Sequence, residues 1–294
     1  MKWKGLFESL SVPKQFWYLF LFILVSYTLC TLLGLVGHFI LGNPSLQDLQ
    51  NPASVASLKW IQGCSSIGVF VLPALLYFYL MNIPFAKKKF SRQQLMLSIA
   101  IMLLALPVIN FLVVWNESIH LPAFLNGVEI WMQNMEAQAM QMTEMFLRMN
   151  SPTDLVVNLF LIALIPALGE EFLFRGVIQS SLYRWKGNIH LSIWLSAFLF
   201  SALHMQFLGF VPRFLIGGMF GYLFFWSGSI WIPVIVHFCN NALAVTLTYL
   251  ISKKQISADI ETIGSHDQGT MVMFCVLGIV MLMYLFKSIS ETKA

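Results

Sequence analysis

The sequence predicts an all-α, polytopic integral membrane protein with about eight transmembrane helices and one amphipathic interfacial helix. Of its 294 residues, 58% are hydrophobic and only 10% are charged, whereas soluble domains contain about 25% charged residues. The apolar residues also form stretches of about 20, the length that crosses a bilayer as a helix. These two observations exclude an ordinary soluble domain.

Eight apolar stretches are long enough to be considered as spans. They lie at about 16–41, 60–81, 95–115, 154–183, 189–206, 209–226, 229–250 and 270–287. The boundaries are weakest between 183 and 229, where the gaps are short, so seven spans are also compatible with the pattern. We expect residues 1–294 to form a single membrane domain. Its expected parts are N-terminal spans with an amphipathic helix over 1–150, core helices over 154–250, and a C-terminal span over 270–287.

Basic residues predict the orientation of these spans, because lysine and arginine are enriched in short cytoplasmic loops. With eight spans, one side of the membrane receives most of them: Lys2, Lys4, Lys14, Lys87, Lys88, Lys89, Arg92, Arg184, Lys186, Lys287 and Lys293. The exceptions on the other side are Lys59, Arg148, Arg213, Lys253 and Lys254. The bias predicts a cytoplasmic N-terminus and favours a bacterial cytoplasmic (inner) membrane, with the endoplasmic reticulum as the alternative.

One stretch between the spans has a different pattern. From Val128 to Met149, large apolar side chains recur every three or four residues, with glutamates and glutamines between them. This spacing is typical of an amphipathic helix. We expect it to lie in the outer membrane interface or to pack over the mouth of the bundle. Its methionine-rich face could also contact varied apolar partners, and a role in guiding the substrate is the alternative.

The most unusual stretch of the chain is the charged group inside the fourth span. Glu170, Glu171 and Arg175 lie within six residues of one another, although each charge near a bilayer centre costs about 2.5–3.5 kcal/mol on insertion scales. Glu171 and Arg175 are four residues apart with the glutamate first, the favoured order for a helical ion pair. Glu170 points about 100° away from them and lacks that local partner, which suits a general base. Pro166 precedes the group and predicts a kinked or loosened helix.

Further polar residues occur in the later spans. His204 follows Phe200 by one helical turn at the end of the fifth span, and His237 and Asn241 share one face of the seventh span. Helical rise places His204, Asn241 and Glu170 about 18–22 Å from the cytoplasmic ends of their spans, and His237 less deep, at about 12 Å. We therefore expect one polar cavity that contains these side chains.

Taken in order, the motifs Glu170-Glu171-x-x-x-Arg175, Phe200-x-x-x-His204 and His237-x-x-x-Asn241 resemble those of the CPBP intramembrane proteases. That family includes the CAAX prenyl endopeptidases and the bacteriocin-processing and self-immunity proteins. The resemblance covers about 154–250. Each motif alone is weak, but three in order on separate hydrophobic spans are specific.

The resemblance implies a role for each matched residue. Glu170 would be the general base that activates a water molecule, and His204 would help to hold that water. His237 and Asn241 would donate hydrogen bonds to the oxyanion, and Glu171 would be a second acidic group, held by Arg175. The substrate would be a peptide or a lipidated protein in the bilayer; no nucleic-acid partner is expected, and the oligomeric state is unassigned.

A metal ion is the main open question about the predicted chemistry. Glu170, His204 and His237 could form a carboxylate-plus-two-histidine zinc set, but a metal-free glutamate mechanism uses the same residues. We favour no cofactor, with zinc as the alternative.

Two other classes of function fit parts of the pattern. Buried Glu, His and Arg also mark ion or proton pathways, although no internal repeat pairs two interrupted helices as in many transporters. A non-catalytic immunity or scaffold protein could keep the cluster for stability. The sequence as a whole favours an intramembrane endopeptidase.

Overall fold

The computed structural model describes residues 3–48, 51–83, 89–264 and 268–292. Within these ranges the chain is helical, with no β-strand, which confirms the predicted all-α fold class. Lys2, Lys87, Lys88 and Lys293, which contribute to the charge pattern, lie outside the described residues.

Nine helices follow one another in the described part of the chain. They are α1 (Val12–Ile40), α2 (Pro52–Leu80), α3 (Arg92–Glu117), α4 (Asn126–Leu147), α5 (Pro152–Lys186), α6 (Ile189–Ala202), α7 (Phe210–Ser227), α8 (Trp231–Ser252) and α9 (Gly269–Thr292). Short 3₁₀ turns occupy Ala123–Leu125 and Ala258–Thr262. Seven of the helices are long and apolar enough to cross a membrane; all but α4 and α6 belong to this set.

Helix α6 corresponds to the predicted span at 189–206 but is shorter than predicted. It has 14 residues, or about 21 Å of helix at 1.5 Å per residue, against a hydrocarbon core of about 30 Å. The other seven predicted spans each correspond to one long apolar helix. The predicted amphipathic helix is confirmed as α4, and its position in the membrane interface stays a prediction.

Two compact units divide the chain. The first comprises Met1–Lys87, Met145–Ser192 and His237–Thr246, so it holds α1, α2, α5 and the middle of α8. In this unit α1 packs along α2, and α2 packs against α5. The prediction of a single membrane domain is not decided by this division and stays a prediction.

The second unit comprises Lys88–Glu144, Ile193–Val236 and Leu247–Ala294. Its apolar core joins α3, α7, α8 and α9 through Ile101, Met102, Phe220, Ile232 and Phe286. Helix α9 packs along α3.

Helix α5 begins as its sequence predicts. The Ser151 hydroxyl accepts a hydrogen bond from the Asp154 N–H (3.2 Å), and the Asp154 carboxylate accepts one from the Ser151 N–H (3.0 Å). This capping box satisfies two of the free N–H groups at the helix start, and Pro152 occupies the first turn, where it has no N–H to lose.

Candidate active site

Helix α5, which carries the charged group, is interrupted twice by π-helical segments. Leu159–Leu164 and Phe172–Gln179 are π-helical, and the stretch Ile165–Glu171 between them is α-helical. Pro166 stands in the first turn of that stretch, as expected for a residue that cannot donate the regular helical hydrogen bond. Glu170 and Glu171 are its last two residues. π-Helical segments are frequent at functional sites because they redirect side chains.

The predicted ion pair between Glu171 and Arg175 is present and buried. Arg175 Nη1 lies 3.0 Å from Glu171 Oε1, with side-chain exposures of 1% and 0%. A buried guanidinium requires a compensating charge, so Glu171 is best described as an ionised carboxylate. Its other oxygen, Oε2, is buried and has no hydrogen-bond partner among the described residues.

His237 lies between the two carboxylates. Its Nδ1 is 2.9 Å from Glu171 Oε1, and its Nε2 is 3.8 Å from Glu170 Oε2. The first distance is a hydrogen bond; the second is too long for one. Because an ionised carboxylate can only accept, Nδ1 of His237 must carry the proton. Helix α8 therefore places the histidine so that Glu171 fixes its tautomer and Nε2 faces Glu170.

Asn241 lies one helical turn after His237 on α8. Its Nδ2 donates to the Ile162 carbonyl at 3.4 Å, and its Oδ1 accepts from Asn240 Nδ2 at 3.1 Å. Since a primary amide has two N–H groups, Asn241 retains a second donor. The structure thus brings Glu170, Glu171, Arg175, His237 and Asn241 together in the first compact unit.

His204 belongs to the second compact unit and follows the end of α6. Its Nδ1 is 2.7 Å from the Phe200 carbonyl, and its ring packs against the Phe200 ring at 5.0 Å between centroids. A carbonyl can only accept, so Nδ1 donates, and in the neutral ring Nε2 is an acceptor. This tautomer suits a residue that holds a water proton. The predicted meeting of His204 with Glu170 stays a prediction.

A metal ion at the predicted zinc ligands stays a prediction. In the described ranges, no group of three His, Cys, Asp or Glu side chains is arranged to hold a metal ion. Glu170 and His237 lie in the first compact unit and His204 lies in the second.

The site also contains a group that sequence reasoning missed. The Ile162 carbonyl accepts the Asn241 hydrogen bond, and it lies in the first π-helical segment of α5. A backbone carbonyl carries no sequence signal of its own. The proline at 166 indicated a loosened helix nearby but not which carbonyl would be used.

The segment that carries the site matches a known family. Residues 152–243 match the family described as type II CAAX prenyl endopeptidase, Rce1-like, and all three predicted motifs lie within this segment. The resemblance predicted from the motifs is confirmed for residues 152–243. The class defined by this family is a protease.

Among curated proteins, the chain is similar to a Bacillus subtilis (strain 168) protein, YpbD, which is described as uncharacterized. The two are 28% identical over 92 residues, which is 30% of this chain and 44% of the Bacillus protein. The chain thus spans less than half the length of the curated relative it matches. No solved structure matches the chain.

Proposed function

We propose that the protein is an intramembrane endopeptidase that hydrolyses a peptide bond in a membrane-associated peptide or lipidated protein, with Glu170 as the general base. The observation that carries this proposal is the buried Glu170–Glu171–Arg175–His237 cluster, inside the segment that matches an endopeptidase family. Two carboxylates, a guanidinium and a histidine are costly in an apolar helix bundle. A catalytic role accounts for that cost better than a role in stability.

In the proposed reaction, one proton moves from water to the leaving amine through Glu170. Glu170 takes a proton from water as the water oxygen attacks the scissile carbonyl carbon, which gives a tetrahedral oxyanion. Glu170 then returns the proton to the leaving amine nitrogen as the C–N bond breaks. The water oxygen and its second proton end in the new carboxyl group, which releases that proton to solvent, so atoms and charges balance without a further reactant. His204 would hold the attacking water through its Nε2.

Stabilisation of the oxyanion falls to Asn241 and His237. Asn241 has an unused N–H for this purpose. His237 can donate from Nε2 only when both ring nitrogens are protonated, because Glu171 already holds the proton at Nδ1. The ionised Glu171 beside it supports that imidazolium during the reaction, as a carboxylate does in hydrolases with an acid–histidine pair.

Purified protein in detergent tests the proposal. Wild type, Glu170→Gln and His204→Ala would be incubated with a library of membrane peptides that includes prenylated ones, and mass spectrometry would identify cleavage. Glu144→Gln, an exposed glutamate on α4, is the matched control. We expect cleavage by wild type and Glu144→Gln and none by Glu170→Gln, although all variants unfold at the same temperature.

A chelator arm decides the question of metal dependence. Cleavage that is unchanged by phenanthroline supports the glutamate mechanism, whereas loss that zinc restores assigns a metal to the site. Equal cleavage by wild type and Glu170→Gln would contradict the proposal. Ion flux in liposomes without cleavage would favour the transporter alternative.

A further inference from the structure

A second polar site lies in the first compact unit, at the end of α1 and the beginnings of α2 and α5. It is a cavity of about 410 Å³, within the range of about 300–1,000 Å³ that small-ligand pockets occupy. Its charged lining comes from Lys59, Arg148 and Asp154, and its apolar lining includes Leu41, Trp60 and Val157.

The lining carries two cations and one carboxylate, a net charge of +1. The Lys59 ammonium is half-buried and donates to Asn158 Oδ1 at 2.8 Å, which is a neutral amide. Asn158 is itself buried and fixed, because its Nδ2 donates to the Phe146 carbonyl at 2.7 Å. The ammonium is therefore held in place beside the cavity, with an amide as its hydrogen-bond partner.

The one carboxylate of the lining is already engaged. Asp154 Oδ2 accepts the backbone N–H groups of Asn150 (2.8 Å) and Ser151 (3.0 Å) at the start of α5. Arg148 supplies a second cation and is exposed. A ligand with one negative charge would thus contact two cations. Asp154 would compete with it only in part, because the Asp154 carboxylate already accepts two backbone hydrogen bonds.

The apolar part of the lining is open to the outside of the helices. Leu41 and Trp60 are each 47% exposed, and Val157 is 40% exposed. They lie near the ends of helices long and apolar enough to cross a membrane, where tryptophan, lysine and arginine commonly meet lipid head groups. A ligand here would touch cations at one end and apolar side chains at the other, as an amphiphile does.

We propose that this cavity binds an anionic phospholipid. Its phosphodiester would lie between Lys59 and Arg148, and its acyl chains would lie along Leu41, Trp60 and Val157. The site is independent of the proposed proteolysis and would anchor the start of α5, the helix that carries Glu170, to the bilayer.

Native mass spectrometry of the full-length, delipidated protein tests this proposal. The protein would be titrated with phosphatidylglycerol and with phosphatidylcholine. We expect wild type to bind phosphatidylglycerol more tightly than phosphatidylcholine. Each of the single variants Lys59→Gln and Arg148→Gln should bind phosphatidylglycerol about fivefold more weakly than wild type does, since one surface cation contributes about that factor. Binding of phosphatidylcholine should not change.

Lys254→Gln is the matched control, because Lys254 is exposed and the charge pattern places it on the same side of the membrane as Lys59. This variant should bind phosphatidylglycerol as wild type does. If Lys59→Gln unfolds at a lower temperature than wild type, the binding measured for Arg148→Gln is the test of the proposal. Equal binding of the two lipids by wild type, or equal loss in all three variants, would overturn the proposal.

Competition distinguishes the sources of the anion. Inorganic phosphate and a peptide with a free C-terminal carboxylate would each be added to the complex with phosphatidylglycerol. We expect neither to displace the lipid, because neither supplies acyl chains. Displacement by phosphate would assign a free-phosphate site, and displacement by the peptide would assign a peptide site; either result overturns the lipid assignment.

Discussion

Glu171 is the residue whose environment constrains the site most closely. Its Oε1 lies 3.0 Å from Arg175 Nη1 and 2.9 Å from His237 Nδ1, and its side chain is fully buried. One oxygen therefore balances a buried cation and fixes a histidine tautomer at the same time. Glu170 differs in its contact with His237, because its Oε2 lies 3.8 Å from His237 Nε2, which is longer than a hydrogen bond.

Glu171→Gln should destabilise the protein strongly. Removing one partner of a buried ion pair leaves the other charge uncompensated and costs about 3–5 kcal/mol. Thermal and denaturant unfolding in detergent would measure the loss. Glu291→Gln is the control, because Lys287 and Glu291 form a pair with the same i, i+4 spacing at 3.7 Å but are exposed, so its loss should not be measurable.

A double variant separates stability from chemistry at Glu171. Glu171→Leu combined with Arg175→Met removes both charges and keeps similar volumes, which should restore most of the stability lost in Glu171→Gln. Cleavage should stay low, because His237 then lacks the carboxylate that fixes its tautomer. If Glu171→Gln were as stable as wild type, the negative charge of Glu171 would not be needed to stabilise the buried Arg175.

Sequence reasoning found these residues but not their pairing across helices. The Glu171–Arg175 contact follows from i, i+4 spacing, as does the shared face of His237 and Asn241. The contact between His237 and Glu171 joins residues 66 apart and depends on how α8 packs on α5. Spacing within one helix cannot supply that information.

At the scale of elements, α5 is the helix with the least regular backbone. Its two π-helical segments flank the α-helical stretch that ends in the two glutamates. Pro166 made the first irregularity predictable. The second, at Phe172–Gln179, contains no proline and includes Arg175, so propensity gave no signal for it; a π-helical segment depends on the packing around it.

Helix α2 holds this part of α5 in place through close contact at Gly169. A Cβ added there would lie 2.7 Å from Phe70 Cβ and 2.9 Å from Val71 Cγ2. Phe70 Cβ is bonded directly to the backbone, so it cannot move without moving α2. Gly176 also approaches α2 closely, because a Cβ added there would lie 2.6 Å from Phe78 Cζ.

Gly169→Ala should therefore destabilise the protein by about 1–3 kcal/mol, the usual cost of overpacking, and should reduce cleavage because Glu170 is the next residue. Gly176→Ala is the matched control. Its added Cβ would lie 2.6 Å from Phe78 Cζ, the far end of a side chain and not an atom next to the backbone, so we expect a smaller loss there. Alanine favours a helix over glycine by about 1 kcal/mol, and this gain applies to both variants. The free energy of unfolding and the cleavage rate would be measured for both variants. Equal losses in Gly169→Ala and Gly176→Ala would contradict a specific role for the contact between Gly169 and α2.

At the scale of the whole molecule, the described helices leave one question about how the chain crosses the membrane. Six helices other than α4 follow Lys89: α3, α5, α6, α7, α8 and α9. Five of them are long enough to span, and α6 has only 14 residues. If α6 crosses, Lys89 and Glu291 lie on the same side and Lys254 lies on the other. If α6 does not cross, Lys89 and Lys254 lie on the same side of the membrane and Glu291 lies on the other.

With eight spans α6 crosses, and Lys287 then shares a side with Lys89, Arg184 and Lys186, as the sequence predicts. Without the crossing, Lys287 leaves that side and Arg213, Lys253 and Lys254 join it. The test is labelling of single cysteines at 89, 254 and 291 by an impermeant maleimide, in a chain whose four native cysteines are replaced by serine or alanine. In intact bacterial cells stripped of their outer layers, we expect labelling at 254 alone, and labelling at 89 and 291 only after the membrane is opened. Labelling at 291 but not at 254 in intact cells would show that α6 turns back within the bilayer. Because His204 follows the end of α6, that result would also place His204 on the cytoplasmic side of the bilayer and would remove the basis for assigning it to the depth of Glu170.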